Sequence, residues 1–181
     1  MYRLRTTFFF AFLLLLSIPT FGQRKINKAL CNCVDQMIVD KGEDPEQLLD
    51  KMANVLGYNR EGSTGKIRRY FKSFFERIAA MEDPAPGHVD GIESPLSLDG
   101  PFAKCVDEVK VRYVQKLRPK SSATYFLLAL SGLITPEVVD ISKVGSGISG
   151  LLMKKRVDLS LMERAMLLIT LGVSEYGEDV E

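Results

Sequence analysis

The stretch Ile26–Asp40, INKALCNCVDQMIVD, sets Ile26, Leu30, Cys33, Val34, Met37 and Ile38 on one face at helical spacing. That periodicity predicts a helix, and Gly42 is placed to end it. Each helical residue turns about 100°, so Cys31 and Cys33 point roughly 200° apart. They cannot both meet the same partner. Cys33 lies near the middle of the apolar face and Cys31 toward its edge. The third cysteine, Cys105, repeats the local sequence Cys-Val-Asp and flanks a second apolar face made by Phe102, Val106, Val109 and Tyr113. Packing those faces together makes Cys33–Cys105 the expected disulfide, with Cys31–Cys105 as the alternative. Cys31 is then a free or intermolecular thiol, the latter implying a homodimer through Cys31. Asp35 and Asp107, two residues beyond their cysteines, are expected to face solvent.

Disulfides persist outside the cytosol, and the start of the chain fits that setting. Arg3 and Arg5 precede the apolar run Phe8–Ile18, then Pro19 and Thr20-Phe21-Gly22. This is the layout of a secretory signal peptide cut after Gly22. The run is about half of the roughly 20 residues a spanning helix needs. Lipid attachment at Cys31 is disfavoured, because Lys28-Ala29-Leu30 precedes it. The expected location is therefore periplasmic or secreted. Losing residues 1–22 removes two of 24 basic residues and none of the 23 acidic ones, taking the formal charge from +1 to about −1. No bulk attraction to nucleic acid or to acidic membranes follows from such a balance.

Outward from the first helix, apolar residues keep helical spacing and no alternating run suggests a strand. The expected fold is all-α: one domain over 23–181, a bundle of six to seven helices with one disulfide. Asp44-Pro45 starts a helix that Gly57 stops. Ser63 or Thr64 starts another, through about Met81, whose stripe Ile67, Tyr70, Phe71, Phe74, Phe75, Ile78 and Met81 is core. Its cations Lys66, Arg68, Arg69, Lys72 and Arg77 form a solvated face. Residues 82–99, rich in proline and glycine, read as a long loop. Asp99 then caps a helix from Pro101 to about Leu117. Ser121 or Ser122 starts a fifth through about Leu133, Thr135-Pro136-Glu137 a sixth, and Ser160 the last, with Glu163 completing a capping box. Residues 175–181 are expected to fray.

The sharper motifs all have plainer explanations. Gly145, Gly147 and Gly150 spell G-x-G-x-x-G, but a dinucleotide site needs that motif at a strand-to-helix turn. Close helix packing or a flexible break fits better. Three cysteines and one histidine, His88, do not complete a zinc set. His88, Asp90, Glu93 and Asp99 match no calcium loop. No cofactor or metal is expected, and no catalytic residue is assigned. The apolar runs TYFLLALSGLI (124–134) and LMERAMLLITLGV (161–173) read as the centre of the bundle.

These observations point to an exported, non-enzymatic helical protein that acts by binding or structural association, with a protein partner and no nucleic acid. A thiol-redox protein using Cys31 or Cys33 is one alternative. A membrane-active protein using the apolar region 123–173 is the other.

Overall fold

The structure is a computed structural model that describes residues 19–81, 100–134, 139–153 and 157–177. Among the described residues it is all-helical: α1 (Pro19–Asp40), α2 (Pro45–Leu56), α3 (Thr64–Ala79), α4 (Pro101–Tyr113), a 3-10 turn (Val114–Lys116), α5 (Ser122–Ile134), α6 (Ile141–Met153) and α7 (Leu159–Gly177). All seven helices contribute to one continuous apolar cluster.

Local chemistry sets several of the ends. The Asp44 side chain accepts from the Gln47 amide at 2.8 Å, with Pro45 in the first turn of α2, and Gly57 closes that helix at φ 75°. Glycine tolerates this left-handed backbone, and the amides of the turn then reach back to the last carbonyls. Gly42 ends the pairing beyond α1 in the same way, at φ 84°.

Other starts differ from the sequence expectation. α1 is already helical at Pro19, the first described residue, ahead of the expected Ile26, and from Gly22 onward Ile26 is its first buried residue. The expected cut after Gly22 falls within its first turns. α6 begins at Ile141, because Asp140 Oδ1 accepts from the amides of Ser142 at 3.0 Å and Lys143 at 3.4 Å. The proposed start at Thr135-Pro136-Glu137 lies outside the described residues. α7 is capped by Asp158, whose Oδ1 accepts from the Leu161 amide at 3.2 Å. The Ser160–Glu163 capping box therefore does not form, and both side chains take other partners. Gly100 occupies the cap position of α4, and Asp99 lies outside the described residues. Met81, expected on the core stripe of α3, is instead 73% exposed, because the helix ends at Ala79 and the chain turns away at Met81 with φ 57°.

α7 is the axis of the bundle. It packs against α5, α1, α2 and α3, and every residue from Leu161 to Leu171 is buried. α1 packs on α4, α5, α2 and α7, so the helix carrying two cysteines is central as well. α4 lies at the periphery, with α1 as its main partner.

α3 and α6 make the closest pairing, and the glycine motif explains it. A Cβ at Gly145 would stand 2.7 Å from the Phe75 carbonyl oxygen and 2.8 Å from the Ala79 amide nitrogen. One at Gly147 would land inside the Tyr125 ring, whereas Gly150 faces open space. The motif is a helix-packing device inside α6, not a strand-to-helix turn. Gly145→Ala is expected to cost about 1–3 kcal/mol, because backbone cannot yield as a side chain can. Gly150→Ala should be neutral or stabilise by up to about 1 kcal/mol. Urea unfolding of the two variants checks this pair of outcomes.

Candidate functional site

Reactive chemistry in this chain begins with its cysteines. Cys33 and Cys105 are joined, with Cα atoms 5.8 Å apart, tying α1 to α4. Cys31 is free and 8% exposed. Because it is turned away from Cys33, it faces α7, where its Sγ lies 4.0 Å from Ser160 Oγ. Burial pushes this thiol up to about 11. The nearby Arg164 charge acts in the opposite direction, and Asp158 reinforces the rise.

A thiol held neutral in this way is a poor nucleophile at physiological pH. An intermolecular bridge at this sulfur would require α1 and α7 to part. Alkylation of Cys31 in the native protein at pH 8 is expected to be slow and to follow the unfolding rate. Rapid labelling with a midpoint below pH 8.5 would contradict this. The folded value lies above the ordinary 9.0, so thiolate forms first in the unfolded chain. The associated stability is whole below pH 9 and is lost as pH rises through about 11.

Around Cys31 runs a seam of buried charge centred on two adjacent residues of α7. Arg164, with its side chain 6% exposed, donates from Nε to Asp35 Oδ1 at 2.7 Å and from Nη2 to Asp35 Oδ2 at 2.9 Å. Its Nη1 also donates to Ser160 Oγ at 2.8 Å. Asp35 therefore faces α7 rather than solvent, because a two-pronged guanidinium offers it both oxygens' worth of donors.

Glu163 points to the neighbouring side. It accepts from Tyr58 Oη at 2.8 Å and from Arg60 Nε at 2.8 Å. Arg60 in turn donates to Asp50 Oδ1 and Glu46 Oε2, each at 2.7 Å. Burial opposes its charge, but hydrogen bonds to Glu163, Asp50 and Glu46 more than offset this and raise its pKa. Burial likewise raises the Tyr58 hydroxyl, and the Glu163 carboxylate adds to the effect. Tyr58 also stacks on Tyr70, with ring centroids 4.8 Å apart. Glu46 approaches Arg164 at 3.7 Å and so links the two halves.

Sequence reading did not single out Tyr58, Arg60 or Arg164. The available signal was Glu163-Arg164 itself: two charges inside an apolar run must find partners when that run is buried.

The arrangement joins four elements and leaves its cations and carboxylates bonded to one another. It brings Cys31 and Asp35 together and keeps Asp107 away, paired with Lys110 at 3.1 Å. Among the described residues no cluster of histidine, cysteine and carboxylate groups could hold a metal ion. His88, Asp90, Glu93 and Asp99 lie outside them. Among the described residues no helix is long and apolar enough to cross a membrane. On the outer face of α4 lies a shallow, solvent-open groove of about 730 Å³ lined by Lys104, Asp107, Glu108, Val111 and Arg112.

No family model matches the chain, and searches of curated proteins and solved structures found no match.

Proposed function

We propose that the protein is an exported, disulfide-stapled helical scaffold that acts by binding or structural association in the cell envelope or extracellular space. The observation that carries this reading is where its reactive groups are committed. Cys33 is locked to Cys105. Cys31 is sealed against α7, and Glu163 and Arg164 are each held by partners within the fold. These interactions fix α1, α2 and α7 relative to one another, leaving the outer faces for recognition.

The thiol-redox alternative is the weaker reading, since it needs an accessible, acidic thiol where burial supplies a neutral one. A membrane-active rearrangement of 123–173 would have to expose the buried run Leu161–Leu171, the most costly segment to withdraw from the core.

Crosslinking in intact cells that express the full chain, followed by recovery and peptide mapping, tests the proposal. The expected product is a reproducible adduct whose crosslinks map to exposed helix faces. Steady substrate turnover by the purified protein, abolished by changing one exposed side chain, would overturn it.

A further inference from the structure

We infer that the C-terminal half of α4 and the turn after it, Lys110–Lys120, form a docking ridge for an anionic phospholipid surface. This deepens the binding reading by naming a partner. It uses a surface distinct from the apolar region of α5–α7.

The ridge combines clustered positive charge with exposed apolar side chains. Lys110, Arg112, Lys116, Arg118 and Lys120 fall within eleven residues, and no acidic residue occurs from Val109 to Pro136. Among the described residues Lys110 meets Asp107, but no carboxylate lies within ion-pair distance of Arg112, Lys116, Arg118 or Lys120. Cations in the last turn of a helix complement its dipole, which accounts for Lys110 and Arg112. Lys116, Arg118 and Lys120 lie beyond α4, so the dipole does not explain them.

Two valines stand among these cations, Val111 at 79% and Val114 at 64% exposure. They are three residues apart and share a face. Tyr113 and Leu117 pack partly against the core and anchor the opposite side. The result is a peripheral segment with its apolar side chains outward and cations around them.

Interfacial segments bind lipid by this combination: short apolar side chains enter the headgroup boundary while lysine and arginine meet anionic phosphates. Single-stranded nucleic acid would instead call for exposed aromatic faces. The ridge aromatic, Tyr113, is half-buried, with Lys116 Nζ 6.0 Å above its ring. Asp107 and Glu108 line one groove with Val111 and Arg112, so Val111 stands at the edge of the ridge and the carboxylate-free surface runs from Val114 to Lys120.

Vesicle co-sedimentation of the purified protein tests the inference, with phosphatidylcholine vesicles alone or doped with phosphatidylglycerol. Binding should require the anionic lipid and weaken with salt. The triple variant Lys116→Gln, Arg118→Gln, Lys120→Gln should lower the partition coefficient roughly a hundredfold. Val111→Ser with Val114→Ser should lower it roughly tenfold and leave its salt dependence intact. All five positions are solvent-facing, so retained helicity and a closed Cys33–Cys105 bond establish that each variant is folded. No binding to the doped vesicles at low salt, binding unchanged in both variants, or binding to heparin or RNA without vesicle binding would each overturn the lipid assignment. Failure here leaves the scaffold reading standing, because crosslinking to another partner is a separate readout.

Discussion

Replacing Cys33 and Cys105 together by alanine is expected to lower the unfolding free energy by about 4 kcal/mol. The bond closes a sequence separation of 72 residues. In the chain-entropy description, closing a loop of that length removes about 4.4 kcal/mol of freedom from the unfolded chain. That is large beside a typical net stability of roughly 5–15 kcal/mol. The loss should fall first on α4, because α1 is its main packing partner and the bond joins those two helices. Hydrogen exchange should therefore show faster opening of residues 101–113 in the double variant than in the native protein. An unchanged urea midpoint, with α4 protection retained, would contradict this role.

The second large effect is expected from Glu163→Ala. The substitution leaves the Tyr58 hydroxyl without its acceptor and takes from Arg60 the least exposed of its three carboxylate partners. Removing one member of a buried ion pair typically costs roughly 3–5 kcal/mol. Arg60 keeps Glu46 and Asp50, so a loss near the lower end, about 3 kcal/mol, is expected. Glu163→Gln retains an acceptor and should lose less. Urea unfolding measures both, and a double-mutant cycle with Arg60→Met isolates the pair. Coupling below about 0.5 kcal/mol would show that the seam is not a cooperative unit.

The disulfide was legible in the sequence because both of its residues lie on amphipathic helices, where periodicity fixes direction. Cys33 shares the face of Leu30 and Met37, and Cys105 stands beside Val106 and Phe102. The angle between Cys31 and Cys33 likewise separated a bonded residue from a free one. The glycine motif was legible as packing, because no strand precedes it. The Arg60–Glu163 and Arg164–Asp35 contacts were not. They join residues 103 and 129 positions apart, and local pattern carries no information about such pairs. Ser160 and Glu163 had capping-box spacing, but Asp158 took the helix start while Glu163 answered the desolvation of Tyr58 and Arg60. Local and tertiary demands competed for Glu163, and the buried demand was the larger.

Export, the Cys33–Cys105 staple and the sealed Cys31 are tested together by peptide mapping of the protein recovered from its native compartment, alkylated before denaturation and analysed without reduction. The expected result is a chain beginning at Gln23, Cys33 joined to Cys105, and Cys31 as an unbridged thiol that escapes alkylation until the protein unfolds. A recovered chain that retains residues 1–22 with all three cysteines reduced, or one with Cys31 bridged to another sulfur, would contradict it.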